Sequence, residues 1–309
     1  MNLVLAAEES AGLKALRMLV SSRHRLIAVL ARPPRVGSTG STIWRVAEKM
    51  GVETWPASLV KDAALANRLR EGEIDVLLNV HSLFIICSEV LAAPRLGAFN
   101  LHPGPLPRYA GLNAVSWAIY RGEHTHGVTV HKMEPGIDTG AIVYQTLFPI
   151  EHTDTALTLS FKCIQHGMPL LLKLLDVASA NPVDVPFHAQ NLSEREYFGA
   201  AGPQHGFLTW DATADSILNF IRACDYFPFP SPWGYPRTHL GNHELGIVKA
   251  RKTGMPCKSQ PGTVGTSHNS GVEIACADEW LLVEKIKLGS KYVSANEMLT
   301  TGEQLQTII

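Results

Sequence analysis

Over its first 150 residues the chain alternates between short apolar runs and stretches of helical periodicity, and that alternation leaves few folds open. "NLVLAA" (2–7), "RLIAVLA" (25–31), "IDVLLNV" (74–80) and "GAFNLH" (97–102) read as buried strands. Between them, "SAGLKALRMLVSS" (10–22), "TIWRVAEKMG" (42–51) and "VKDAALANRLREG" (60–72) place apolar residues three and four apart, as a helix face does. Such alternation predicts an α/β fold: a Rossmann-like, open, mostly parallel sheet with helices on both faces. "GVTVHKM" (127–133) and "AIVYQTLFPI" (141–150) add two strands across the turn "EPGIDTG", and residues 155–180 read as one long helix.

Composition then shifts. Residues 181–206 are rich in Pro, Gly and polar side chains and read as a connecting segment. One helix (213–226) follows. "ELGIVKARK", "PGTVGTSHNS", "GVEIACAD" and "EWLLVEKIKL" then have the lengths and turn punctuation of a small OB-like β-barrel. The expected organisation is a catalytic domain at 1–190, a linker at 191–206 and a barrel domain at 207–309.

The five cysteines (Cys87, Cys163, Cys224, Cys257 and Cys276) are scattered and never form a C-x-x-C pair. That usage predicts reduced thiols in a cytoplasmic protein rather than a disulfide framework or a zinc site. "MNLVLAAEES" lacks the basic start of a signal peptide, and no apolar run approaches the ~20 residues of a membrane span. A net charge of −1 argues against a protein-wide field for nucleic acid. Residues 205–309 carry nine Lys and Arg against ten Asp and Glu, which offers little phosphate neutralisation. Three arginines in "RPPRVGSTGSTIWR" (32–45) keep tRNA open as a partner.

Open parallel sheets bind ligands at the carboxyl ends of their strands. Asn100 and His102 stand at such an end, on one face because strand side chains repeat every two residues. The turn "PGPLP" behind them removes backbone freedom, and Asp138 sits in the tight turn "PGIDTG". An amide, an imidazole and a carboxylate suffice for acyl transfer to an amine: they can hold an oxyanion and move protons. Read singly, each has a plainer role, Asn-x-His as a strand end and Asp-Thr-Gly as a turn former. Other candidates are weaker. His124, His126 and His131 cluster, but no carboxylate or thiol completes a metal-ligand spacing, and the strand pattern turns His124 and His126 outward or into a loop. "AEESAG" lacks a glycine-rich phosphate loop. "FPFPSPWGYP" (227–236) reads as a packed loop in preference to an acceptor-binding wall.

"FNLHPGPLPRYAGLNAVSWAIYRGEHTHGVTVHKMEPGIDTGAIVYQ" resembles the core signature of the folate-dependent formyltransferases. That family reads N-x-H-x-S-L-L-P, then G-V-T, then D-x-G-D/A about 36 residues beyond the His, and here His102 to Asp138 is 36. "PGTVGTSHNSGVEIACADEWLLVEKIKL" is similar to the C-terminal barrel of methionyl-tRNA formyltransferases, so the likeness covers nearly the whole chain. The resemblance implies Asn100, His102 and Asp138 as the catalytic trio and 10-formyltetrahydrofolate as donor, with no metal. It places the pterin against Ser82, Leu83, Phe84 and Ile85 and the loop at Thr139 and Gly140. The S-L-L-P stretch maps onto Gly104, Pro105, Leu106 and Pro107, where the hydroxyl is lost. This variant is more similar to formyltransferases of natural-product or amino-sugar biosynthesis. The acceptor implied is a primary amine on a small-molecule or carrier-bound intermediate, an aminoacyl group or amino sugar. The alternatives are methionyl-tRNA, water (a formyltetrahydrofolate hydrolase), or a non-catalytic RNA-binding role for the barrel. The ending "LTTGEQLQTII" gives no clear terminus, which leaves a longer multidomain enzyme open.

Overall fold

The computed structural model describes residues 1–35 and 41–306, so part of the basic 32–45 loop and the last residues of "LTTGEQLQTII" lie outside the described residues. The chain divides into two compact units. Met1–Gly111, Gly127–Phe148 and Phe161–Tyr197 form the first; Leu112–His126, Pro149–Ser160 and Phe198–Ile309 form the second.

The first unit is built on a seven-stranded sheet. Its strands are β1 (Asn2–Ala7), β2 (Arg25–Ala31), β3 (Glu53–Pro56), β4 (Val76–Val80), β5 (Gly97–His102), β7 (Thr125–Lys132) and β8 (Ile142–Pro149). Their order is β3-β2-β1-β4-β5-β7-β8. Pairing is parallel from β3 to β5 and antiparallel between β5 and β7. The expected mostly parallel sheet is therefore present. Leu3, Val4, Leu5, Ala6 and Ala7 are fully buried, as strands covered on both faces require. Helices α1 (Glu9–Val20), α2 (Ile43–Lys49), α3 (Ala64–Glu71) and the short α4 (Ser88–Leu91) connect the strands. A Cβ at Gly12 of α1 would lie 2.8 Å from Ala7, which shows how closely that helix approaches β1.

β3 carries no apolar run for sequence patterning to find; "ETWP" lies at the sheet edge, where proline is tolerated. The strand at 127–133 starts earlier than expected, at Thr125, and buries His126 completely, so that side chain does not point outward. The two-stranded β6 (Ala110–Gly111) and β9 (Tyr197–Phe198) lie outside the main sheet. Helix α6 (Ala156–Ala180) buries Leu171, Leu174 and Leu175. It approaches β5 so closely at Gly167 that a Cβ there would sit 2.8 Å from Leu101, the residue between the two site candidates.

The second unit contains α5 (Ala114–Tyr120), α7 (Ala214–Ala223) and a second seven-stranded sheet. Its strands are β10 (Arg237–Leu240), β11 (His243–Pro256), β12 (Val264–His268), β13 (Gly271–Ala275), β14 (Glu279–Leu288), β15 (Lys291–Ser294) and β16 (Leu305–Gln306). The order is β12-β13-β14-β11-β10-β16, with β15 beside β14. A bridge between Thr263 and Gln304 brings the two ends of that order together, and register shifts in β11 supply the bend. Leu245, Ile247, Val272, Ile274, Leu281 and Val283 fill the interior. This is the expected barrel-like domain. In the "FPFPSPWGYP" loop, Trp233 packs on Trp117 at 4.9 Å, whereas Phe227 and Phe229 are exposed.

Candidate active site

Three neighbouring strands and one hairpin turn supply the polar groups. In the ladder, Asn100 of β5 lies opposite Asn79 of β4 on one side and His131 of β7 on the other, and His102 lies opposite Thr129. All five side chains are buried. Asp138 comes from the turn joining β7 to β8, with its backbone in the left-handed region at φ 54°. That turn is braced from outside: Gln190 Nε2 donates to the carbonyls of Asp138 (2.9 Å) and Gly140 (2.7 Å), and Arg195 donates to that of Ile137 at 2.9 Å. A Cβ at Gly140 would run into the Lys132 carbonyl, so the chain can close here only with glycine.

The sequence-predicted trio converges. Asp138 Oδ2 accepts the Gly111 N–H at 2.8 Å and lies 3.5 Å from His102 Nδ1. Asp138 Oδ1 lies 3.3 Å from His131 Nε2 and 3.5 Å from Asn100 Nδ2. His131 is the addition. Sequence groups it only with His124 and His126, but it stands against the carboxylate, with its Nε2 3.1 Å from Asn100 Nδ2.

Hydrogen-bond logic fixes the protons. His102 Nε2 is 2.7 Å from the Tyr109 carbonyl, which can only accept, so Nε2 carries the hydrogen. Neutral His102 then turns the lone pair of Nδ1 toward Asp138. Burial lowers the His102 pKa, overriding the opposing pull of the Asp138 charge, so the ring is neutral near pH 7. Burial would raise Asp138, but the charge His102 takes on in acid, the His131 ring and the Gly111 N–H outweigh it and hold the carboxyl well below the usual carboxylate range. The resting pair is a carboxylate facing an unprotonated imidazole nitrogen.

The candidate donor-binding residues fall into three groups. Ser82 is buried, and its carbonyl accepts from Asn79 Nδ2 at 3.4 Å; Leu83 and Ile85 beside it are exposed, 63% and 69%. Phe84 lies under the cations of Arg32 and Lys61, 5.6 and 5.4 Å from the ring centre. Gly104, Pro105, Leu106 and Pro107 are held by Thr129, whose hydroxyl donates to the Gly104 carbonyl (2.7 Å) and accepts from Leu106 N (3.2 Å). Gln145 Nε2 donates to the Leu106 carbonyl at 2.9 Å. Thr139 and Gly140 directly follow Asp138 in the braced turn. Residue patterning missed Asn79, Thr129 and His131. A signal was present: Asn79 interrupts the apolar run "VLLNV", and Thr129 and His131 share one parity on β7.

The chain matches two family signatures. The signature described as formyl transferase matches residues 4–175, and that described as formyl transferase, C-terminal domain, matches 202–302. A methionyl-tRNA formyltransferase of Legionella pneumophila (strain Paris) is 30% identical over 316 residues, covering 99% of this chain and 98% of that protein. A methionyl-tRNA formyltransferase of Gluconobacter oxydans is 29% identical, covering 97% and 96%. Among solved structures, the N-formyltransferase of Helicobacter canadensis, in complex with folinic acid and dTDP-3-aminofucose, superposes with a TM-score of 0.68 at 19% identity, covering 91% of this chain and 98% of that one. HypX of Aquifex aeolicus gives 0.68 at 17% identity, covering 96% of this chain and 46% of its own. At such identities the structures speak for the fold.

Proposed function

The chain belongs to the formyl transferase family, and on that premise we propose that it transfers a formyl group from 10-formyltetrahydrofolate to a primary amine of a small-molecule or carrier-bound intermediate. The observation that carries the reading is the buried Asn100, His102 and Asp138 cluster, with Asp138 ionised and His102 neutral. The chain's residues fit a folate. The run 82–85 leaves the Leu83 and Ile85 side chains exposed beside the network, as a flat heteroaromatic ring needs. The Helicobacter neighbour binds folinic acid, and HypX has been solved with tetrahydrofolic acid. When bound, the folate supplies a formyl carbonyl on a weakly basic aryl nitrogen that can leave.

The remaining roles belong to the chain. Asn100 Nδ2 holds His131 at 3.1 Å and Asp138 only at 3.5 Å; the longer contact is the one that yields to an oxygen gaining charge. As the acceptor nitrogen bonds to the formyl carbon, it loses a proton to His102 Nδ1. The resulting imidazolium is paired with Asp138. That proton passes to the departing folate nitrogen as its bond to the formyl carbon breaks, and His102 returns to neutral. Tyr109 and Gly111 keep the ring and the carboxylate from turning.

A small or carrier-bound acceptor is favoured over tRNA by the state of the barrel's cations. Lys249 and Arg251 pair with Glu284, Lys252 with Asp215 and Glu279, and Arg237 with Glu244. Methionyl-tRNA is the second reading, favoured by the full-length relatives. The deciding test offers the protein 10-formyltetrahydrofolate with nucleotide-linked amino sugars, carrier-bound aminoacyl groups and methionyl-tRNA, and scores formamide product. Product on tRNA alone sinks the small-acceptor reading; tetrahydrofolate release without formamide makes the protein a hydrolase.

A further inference from the structure

A polar residue buried inside an apolar strand is costly, and Asn79 is such a residue. It interrupts "VLLNV" in β4, is 7% exposed, and its Oδ1 is buried with no hydrogen-bond partner. An unsatisfied buried acceptor costs about 1–3 kcal/mol, and a leucine, which branches at the same carbon, would carry no such acceptor. Packing therefore does not explain the residue. Its donor end does: Asn79 Nδ2 gives one hydrogen to the Ser82 carbonyl (3.4 Å) and one to Asn100 Oδ1 (2.9 Å).

The orientation of the whole row follows from its two ends. At one end the Ser82 carbonyl can only accept, so it draws the amide nitrogen of Asn79. That nitrogen in turn draws Asn100 Oδ1, leaving Asn100 Nδ2 to face His131 and Asp138. At the other end the Lys132 carbonyl lies 2.8 Å from His131 Nδ1, which must carry the hydrogen, and the Asp138 carboxylate, which can only accept, lies 3.5 Å from Asn100 Nδ2. Acceptors at both ends thus set one direction through β4 and β5.

We infer that Asn79 is a positioning residue that decides which end of the Asn100 amide faces the reacting atoms. The inference rests on the formyl-transfer reading, in which Asn100 must present N–H rather than C=O. Removing Asn79 frees the amide to turn; reversing its polarity turns it the wrong way.

The test compares Asn79→Leu and Asn79→Asp with wild type by single-turnover formyl transfer, thermal melting and pH profile. Asn79→Leu removes the unpaired oxygen but leaves Asn100 Oδ1 and the Ser82 carbonyl without their donor, so it is expected to melt somewhat lower than wild type while staying folded, and to react roughly tenfold slower or worse. The carboxylate of Asn79→Asp accepts from Asn100 Nδ2 and points its oxygen at the substrate. Its rate should fall by about 10²–10³, as for loss of the donor itself. Once protonated, that carboxyl can donate to Asn100 Oδ1 again, and burial raises its pKa. The ratio of Asn79→Asp to wild-type rate should therefore recover as pH falls, while the ratio for Asn79→Leu stays flat. Asn79→Leu reacting within about twofold of wild type, or an Asn79→Asp ratio flat with pH, overturns the inference. If wild type transfers no formyl group, the functional reading fails, and a measurement without turnover decides the positioning. The nuclear Overhauser effect between the Asn100 side-chain amide protons and the His131 ring should be present in wild type and lost in Asn79→Leu. Its persistence in that variant overturns the proposal.

Discussion

The two sheets of this protein bury opposite kinds of side chain. The barrel of the second unit is filled with Leu245, Ile247, Val272, Ile274, Leu281 and Val283, and Lys249, Arg251 and Lys252 lie on the outside, paired with carboxylates. The first sheet is equally apolar along β1, but its later strands bury Asn79, Asn100, His102, Thr129 and His131 at adjoining positions. Burying polar groups is favourable only when each finds a partner. In the first sheet nearly every partner is another member of the cluster or a backbone carbonyl. On the proposed function, the barrel core serves stability and the polar cluster serves chemistry, so the same kind of substitution should have different consequences in each.

The largest effect should come from the cluster. Asn100→Ala, His102→Ala and Asp138→Ala are each expected to lower single-turnover formyl transfer by at least about 10²–10³, or ~3–4 kcal/mol of barrier, while melting changes little. The Asn100 and His102 losses should sum to more than the double variant shows, because the groups act as a unit. An Asn100→Ala protein that keeps its rate but loses stability would make the strand-end pair structural. In the barrel the pattern should invert. Leu281→Ala is expected to cost about 3 kcal/mol of stability, since Leu281 is fully buried. The folded fraction should still react within about threefold of wild type. A large rate loss at full folding would give the barrel core a part in chemistry and break the contrast.

Acid should separate the two regions next. The folded-state pKa of His102 lies below its ordinary 6.5 because the ring is buried neutral, so below that pH the unfolded chain takes up the proton more readily and stability falls. Asp138 is held below its ordinary 3.8, so its contribution is present above that value and is lost as pH drops further. A fully coupled proton changes stability by about 1.4 kcal/mol per pH unit. Denaturant melts at pH 7.5, 5.5, 4 and about 2.5 should show a loss that His102→Gln reduces in the upper interval and Asp138→Asn reduces only in the lowest. Equal slopes in wild type and His102→Gln would mean that the ring is not held neutral.

Much of this was readable from residue order. Strands at 2–7, 25–31 and 97–102 have the expected bounds, because runs buried on both faces leave an unbroken apolar signal. The 36-residue spacing of His102 to Asp138 carries the resemblance to the formyltransferase signature, and the fold brings Asn100, His102 and Asp138 together. β3 was not readable, since an edge strand of four mixed residues has no period to detect. α5 was missed beside a helix-poor run of glycine and proline. His131 and Asn79 were hidden for a different reason: their meaning depends on ladder register, with both flanking Asn100 across strands far apart in sequence. A single polar residue in a strand shows its purpose only when its neighbours across the sheet are known.

The smallest effect expected is at the barrel surface, and it bears on the acceptor. Lys249 and Arg251 share Glu284, and Lys252 lies between Asp215 and Glu279, each pair within 4 Å and most of the side chains well exposed. Exposed ion pairs contribute about 0–1 kcal/mol each, so neutralising these three cations should barely move stability. If the acceptor is small or carrier-bound, Lys249→Ala, Arg251→Ala and Lys252→Ala combined should change turnover by no more than about threefold, at any salt concentration. If the acceptor is a nucleic acid, each cation that neutralises a phosphate releases a counterion, and affinity falls as a power of salt whose exponent follows the number of such contacts. The triple variant would then lose activity steeply at low salt, and its deficit would narrow with added salt because wild type has the larger salt slope. Measuring KM for each acceptor class between low and physiological salt, in wild type and in the triple variant, distinguishes the two. A salt slope that shrinks in the variant would place a phosphate backbone on the barrel and return methionyl-tRNA as the acceptor; parallel, shallow slopes leave the paired cations as a solvated face.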